Sequence, residues 1–338
     1  MRLFGKDLDV EVAIVAEIGV NHEGDLPTAR RLLALAKESG ADAVKFQTFT
    51  PERFASASDP ARLARVRVFD LGMDGFLTLA EDAYRLGISI FSTAVSDDVV
   101  PFLTEHFEAI KIASGDIDFE PVIRGSARTQ RPVILSTGLA STEEIETAIS
   151  WFRDEAGTSD IRDRLLLTQC TTAYPTPIEE ANVLAVPYLA ERTGLRVGYS
   201  NHVIGIEACL AAVALGACMI EVHFTDQKEG REFRDHALSC DPDDLRRLAD
   251  AAVRVRKSLG VYGKERQPSE APLISAVRKG IVAARDLPSG TRLDRADVMF
   301  ARPATEFASG EIGRVVGRVL NVALKRGELI PRDALSEE

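Results

Sequence analysis

Eight short β-rich runs recur along the first three quarters of the chain, each followed by a helical pattern or by room for one. They occupy residues 12–19, 43–49, 89–95, 109–114, 132–138, 165–170, 196–201 and 219–225. Most begin as continuous apolar stretches, the pattern of strands covered on both faces in a parallel sheet. Between them lie helical patterns over 27–39, 142–152, 206–215 and 242–259. The second opens Ser141-Thr142-Glu143-Glu144, a capping-box signature. The repeat spans residues 12–260, close to the about 250 residues of a (β/α)8 barrel. An open doubly wound sheet is the main competitor, but no GxGxxG turn follows an early strand. The expected fold is therefore a TIM barrel over residues 1–262, a linker over 263–277 and a small β-rich domain over 278–338. The linker reading rests on Gly263, Pro268 and Pro272 among charged residues. The last segment, built of short elements, is expected to have little core of its own and to lean on a partner surface.

Composition narrows the function. The 41 Lys and Arg against 52 Asp and Glu give a formal charge of −11, which argues against nucleic-acid binding. With no apolar run near 20 residues and no signal-peptide core, no membrane association is expected, and a cytoplasmic location is. The four cysteines lack CxxC spacing and read as buried thiols.

In a barrel of this type the chemistry sits at the C-terminal ends of the strands. Polar residues stand at all eight. Lys45 and Lys111 interrupt otherwise apolar strands. Such a lysine either snorkels, pairs with a glutamate, or serves a buried anion. Beside Ser114, Ser136 and Ser200 the two suit a cradle for phosphate or carboxylate. His202 and His223 end neighbouring strands and could together bind a divalent metal, leaving open positions for water and substrate. Glu17, at the end of the first strand, is a candidate general base, a candidate sugar ligand or a structural hydrogen-bonding group.

The motifs Ala16-Glu17-Ile18-Gly19-Val20-Asn21-His22-Glu23-Gly24, Val44-Lys45-Phe46-Gln47-Thr48, Lys111-Ile112-Ala113-Ser114-Gly115, Gly198-Tyr199-Ser200-Asn201-His202 and Glu221-Val222-His223-Phe224-Thr225 follow one another in order. In this the chain resembles the sialic acid synthase family. Its tail, with Asp286-Leu287-Pro288-Ser289-Gly290 and Arg302-Pro303, resembles that family's antifreeze-like SAF domain. The resemblance implies condensation of phosphoenolpyruvate with an open-chain N-acetylated amino sugar, giving a 2-keto acid and phosphate by C–O cleavage. It also implies a divalent metal, manganese first and magnesium or cobalt as alternatives, on His202 and His223. Lys45, Lys111, Ser114, Ser136, Ser200 and Thr172 would hold phosphoenolpyruvate, with Glu17 near the aldehyde and the attacking water. Gln47, Tyr174 and Asp235 would contact the sugar. Arg302 would reach the N-acetyl group from the other protomer of a domain-swapped homodimer.

The chain departs from the family pattern in places. Asp116, a further candidate substrate contact, stands where some members have Glu, and Thr172 where Asn is frequent. Residues 59–68 lack the usual sugar-side pattern. Two sugars therefore stay open: N-acetylmannosamine, or a 2,4-diacetamido-trideoxy hexose leading to a legionaminate- or pseudaminate-type acid. No further basic cluster is legible, which argues against a phosphorylated sugar. Two other classes compete: another metal-dependent aldolase or synthase on the same barrel, and a binding protein without activity.

Overall fold

The computed structural model describes residues 1–231 and 233–336. The chain divides into two compact units, Met1–Gly260 and Val261–Glu338. The first is a closed barrel of eight parallel strands, in chain order around the ring. They are β1 Ala13–Gly19, β2 Ala43–Thr48, β3 Ser89–Ala94, β4 Ile110–Ile112, β5 Val133–Ser136, β6 Leu165–Gln169, β7 Arg196–Asn201 and β8 Met219–His223. Each is followed by its helix: α1 Leu26–Glu38, α2 Gly72–Leu86, α3 Val100–His106, α4 Glu120–Arg128, α5 Thr142–Glu155, α6 Ala185–Thr193, α7 Glu207–Ala214 and α8 Pro242–Ser258. The expected strand over 109–114 is shorter, because the chain turns into a 3-10 helix at Ser114–Asp116.

The helices form where the sequence signals them. Asp25, Ser141 and Asp241 each accept a hydrogen bond from a first-turn backbone N–H, and Ser141 and Glu144 complete the capping box. Apolar residues such as Leu32, Leu33 and Ala36 of α1 face the strands.

Side chains alternate along each strand, and this layering makes the site. Outward positions such as Ile14, Val44, Ile110, Leu167 and Val222 pack against the helices in one large cluster. The lower inward positions, Ala13, Val15, Ala43, Phe91, Ile134, Leu166 and Met219, form a second apolar cluster. Met1, Leu3, Phe4 and Leu8 from the N-terminal hairpin join it, and Phe4 stacks on Phe91 with ring centroids 4.7 Å apart. The hairpin thus seals one end. Two residues further along, the same inward positions become Glu17, Lys45, Thr93, Ser136, Thr168 and Glu221.

The second unit pairs β9 Gly280–Ala283 with β10 Val298–Ala301, and β11 Val319–Leu320 with β12 Leu335–Ser336, both antiparallel. It carries its own buried cluster, including Ile281, Leu287, Leu293, Phe307, Leu320 and Ile330. This corrects the expectation of a segment with little core: many isolated bridges between short strands hold apolar residues from the whole segment together. The stretch expected as linker contains a 3-10 helix at Pro268–Leu273, nucleated by reciprocal Gln267–Glu270 capping, and a helical turn at Ile274–Val277. No described helix is long and apolar enough to cross a membrane.

Candidate active site

The C-terminal strand ends open into a cavity of about 540 Å3. Among the candidates, Glu17, Lys45, Gln47, Lys111, Ser114, Asp116, Ser136, Thr172, Tyr174, Ser200, His202, His223 and Asp235 all line it. Arg302 belongs to the second unit, where its side chain is exposed and its Nε donates to the Val277 carbonyl at 2.5 Å.

At the floor, Lys45 is 5% exposed and Lys111 2%. Lys45 Nζ lies 2.7 Å from Glu17 Oε2 and 3.5 Å from Glu221 Oε1; Lys111 Nζ lies 3.1 Å from Glu221 Oε2. Pairing with glutamate therefore accounts for both lysines without an added ligand, and both remain turned into the cavity. Thr93 and Thr168 accept further hydrogen bonds from them, and Ser200 Oγ donates to Glu221 Oε1 at 3.0 Å. Glu221 was only one polar strand end among many in the sequence. Its role as shared counterion appears once the barrel brings it to lysines more than 100 residues away.

The four charges do not share burial equally. Burial would raise the Glu221 carboxyl, but Lys111 and Lys45 outweigh it and hold the group at about 2. Glu17 is pushed up to about 7: burial is the largest cause, Lys45 opposes it and Glu221 reinforces it. The short Lys45 contact and the raised Glu17 value look contradictory. Burial reconciles them: its cost to the carboxylate, with the like charge of Glu221, outweighs the attraction of Lys45. A bulge in the β1–β2 register between Glu17 and Gly19 turns the end of β1, and Gln47 donates to Glu17 Oε1 at 3.3 Å.

His223 ends β8 and His202 directly follows its partner strand β7, with ring centroids 5.4 Å apart. His202 Nδ1 contacts the Thr171 carbonyl at 2.7 Å, which orients the ring. Burial lowers both imidazoles' pKa, His223 most, with His202 and Lys45 adding repulsion, so both are neutral. Neutral rings are what a metal needs. No described group of three or more His, Cys, Asp or Glu side chains is arranged to hold a metal. The donor set offered is two imidazoles, and the remaining ligands would have to come from substrate and water.

At the ends of β4 to β6, Ser114 Oγ accepts from the Gly138 backbone N–H at 3.1 Å and lies 3.0 Å from Cys170 Sγ. A Cβ at position 138 would stand 2.3 Å from Thr172 Oγ1 and 2.7 Å from Ser114 Oγ, so only glycine leaves this corner open. Thr172 Oγ1 is buried there without a hydrogen-bond partner among the described residues. Cys170, read from sequence as packing, is part of this corner. Above it, burial raises the Tyr174 phenol and the Asp235 carboxyl, and lifts Asp116 to about 6 with help from Asp118.

The wall toward solvent comes from helices Pro51–Phe54 and Pro60–Phe69, between β2 and α2, and from the segment after β8. It is apolar at Phe49, Phe54, Val66, Phe69 and Phe233, and carries Arg53, Arg62, Arg65 and Arg234. This basic group was not legible in sequence, because none of the four arginines is at a strand end and Arg234 lies far along the chain from the other three. Conversely, Asn21, His22 and Glu23 are not among the lining residues. Asn21 donates to the Phe224 carbonyl and Ser239, His22 accepts from Gly24 N–H, and Glu23 lies 3.2 Å from His236. They tie the β1 loop to the segment that carries Asp235.

A profile of the NeuB family matches residues 32–264, and one of the SAF domain matches residues 278–336. The chain is 35% identical to the N,N'-diacetyllegionaminic acid synthase of Legionella pneumophila, over 93% of this chain and 92% of that protein. It is 31% identical to a pseudaminic acid synthase of Campylobacter jejuni, over 90% and 91%. The crystal structure of an N-acetylneuraminic acid synthetase from Leptospira borgpetersenii in complex with citrate superposes with a TM-score of 0.73 at 35% identity, covering 78% of this chain and 90% of that one. By sequence along almost its whole length and by the barrel that positions its strand-end residues, this chain belongs to the NeuB family, with a SAF domain at its C-terminal end.

Proposed function

We propose that the chain is a nonulosonic acid synthase that condenses phosphoenolpyruvate with an open-chain N-acetylated amino sugar. The observation that carries this is the convergence, in one cavity, of two buried lysines and two buried histidines at strand ends. Lys45, Lys111 and the Ser114–Gly138–Thr172 corner suit a polyanion, and Thr172 Oγ1 is a buried hydroxyl without a hydrogen-bond partner among the described residues. His202 and His223 would hold a divalent metal, with manganese as our first choice; when bound it would supply a Lewis acid for the aldehyde oxygen.

C3 of phosphoenolpyruvate forms the new C–C bond to the aldehyde carbon. The aldehyde oxygen takes up a proton; water adds at C2, giving up one proton, and as the C2–O bond breaks phosphate departs with the bridging oxygen while the hydroxyl left at C2 sheds its remaining proton to become the keto group. Glu17, poised at about 7, accepts the water proton. The lysines hold the charge that leaves with phosphate.

For the sugar, the phenylalanine-rich wall favours methyl and acetamido groups over a hydroxymethyl arm. Together with the legionaminate synthase likeness, this supports a 2,4-diacetamido-trideoxy hexose over N-acetylmannosamine. Arg302 would contact the acetamido group of the partner's substrate in a domain-swapped cytoplasmic homodimer.

The test is turnover of phosphoenolpyruvate, in Mn2+ and after chelation, with a panel of amino sugars and mass detection of the product. With phosphoenolpyruvate labelled at the bridging oxygen, the label should leave in phosphate. Label retained in the keto acid, or full activity after exhaustive chelation, would overturn the mechanism or the metal site respectively.

A further inference from the structure

The chain as a whole repels anions, with a formal charge of −11. Its cavity does not share that sign. Six cationic side chains line it against four carboxylates, Glu17, Glu221, Asp116 and Asp235. At the floor, Lys45 and Lys111 are matched by Glu17 and Glu221, so the floor adds little long-range field. The excess lies at the rim.

Two of the rim arginines are also matched. Arg53 lies 2.6 Å from Asp97, and Arg234 lies 3.2 Å from Asp235 and 5.4 Å over the Tyr174 ring. The other two are not. Arg62 rests 5.5 Å over the Phe54 ring with no carboxylate partner among the described residues, and Arg65 makes no ion pair or hydrogen bond among them. Both are exposed on the helix Pro60–Phe69, one turn apart, on the face that lines the cavity. Buried Leu63 and Val66 anchor that helix to Phe49 and Ala55, so the guanidinium groups are carried on a packed element.

We infer that Arg62 and Arg65 are a capture patch for the anionic substrate, drawing phosphoenolpyruvate through the negative field of the protein to the cavity. This rests on the reading of the site as one for phosphoenolpyruvate. Their contribution is to approach, not to chemistry. A cleft of one sign with low-dielectric walls focuses the field and raises the local concentration of an oppositely charged substrate. Without the pair, the lining charges balance, and the overall negative charge governs the encounter.

The experiment is the salt dependence of kcat/KM for phosphoenolpyruvate, at saturating sugar and Mn2+, between about 20 mM and about 300 mM KCl, a range that shortens the screening length several-fold. The wild-type value should fall roughly tenfold across it. Arg62→Ala with Arg65→Ala should lose about tenfold at low salt and show a nearly flat profile. The loss should be concentrated in kcat/KM, and the sugar KM should move less than about twofold. Arg62→Lys with Arg65→Lys, which keeps the charge, should retain the wild-type slope. Thermal unfolding of each variant separates misfolding from loss of field. If the alanine pair keeps the wild-type slope, or loses kcat and sugar affinity equally at all salt, the capture role is wrong. Absence of phosphoenolpyruvate consumption by the wild type with every sugar would instead refute the function on which it rests.

Discussion

Lys45 and Lys111 are ammonium ions almost without water, and they are tolerable there because Glu17 and Glu221 stand beside them. Lys111 has one carboxylate partner, and burial lowers its pKa despite that partner, so it gains most from a bound trianion. Lys111→Ala should raise the phosphoenolpyruvate KM far more than the sugar KM. Truncating one side of a buried charge-assisted contact costs about 2–5 kcal/mol, or roughly a 30-fold rise or more. Steady-state kinetics with each substrate varied decides it; a change confined to the sugar would place the anion elsewhere. Asp116 gives a stability test. Its carboxyl is raised from 3.8 to about 6, chiefly by burial, so the folded state binds the proton more tightly than the unfolded chain. Stability therefore falls as pH rises from near 4 through 6, and stays lower above. Asp116→Asn should raise the melting temperature at pH 8 by the equivalent of about 1 kcal/mol, discounted for its partial exposure, and the gain should fade toward pH 4. A gain independent of pH would assign the effect to something other than the charge.

Two short stretches of backbone matter as much as any side chain. Gly138 lies just past the end of β5, where Thr172 Oγ1, Ser114 Oγ and Cys170 Sγ close round it. Gly138→Ala should leave the barrel folded but displace Ser114 and Thr172, raising the phosphoenolpyruvate KM roughly fivefold or more by crowding the corner, at an overpacking cost of about 1–3 kcal/mol. Normal kinetics in that variant would mean the corner holds no part of the substrate. Gly24, at φ +82°, sits where a Cβ would be 1.9 Å from the Val68 carbonyl oxygen at the end of the Pro60–Phe69 helix. Gly24→Ala should therefore loosen the wall that carries Val66, Phe69 and the rim arginines. Limited proteolysis between residues 50 and 70 should speed up relative to the wild type, and an unchanged cleavage rate would count against this packing role. Of the polar residues in the motif around Gly24, Glu17 lines the cavity, with Val20 beside it, and Asn21, His22 and Glu23 do not. The rest is fastening, since polar loop residues and polar site residues look alike until their partners are known.

At the scale of the molecule, the second unit has a core of its own, so its part in the reaction can be tested without unfolding the barrel. If Arg302 serves the partner's site, mixing His223→Ala protomers with Arg302→Ala protomers under subunit exchange should restore activity, because each hybrid dimer then holds one intact barrel facing one intact arm. A hybrid as weak as its parents would remove Arg302 from its assigned role. The barrel itself was legible from the chain: runs of apolar residues, their helical partners and the stop signals between them are local, and local patterning sets where strands and helices begin and end. So were Lys45, Lys111, His202 and His223, because a charged or imidazole side chain at the end of an apolar strand is conspicuous wherever that strand goes. What tertiary structure alone decided was pairing. Glu221 became the common counterion of two lysines, Cys170 a neighbour of Ser114, and Arg62 with Arg65 an unmatched positive rim only after closure of the ring. The first two relations join residues far apart along the chain, the third turns on which carboxylates come near the arginines, and Coulomb and contact energies depend on distance in space, which the spacing of residues in a sequence does not contain.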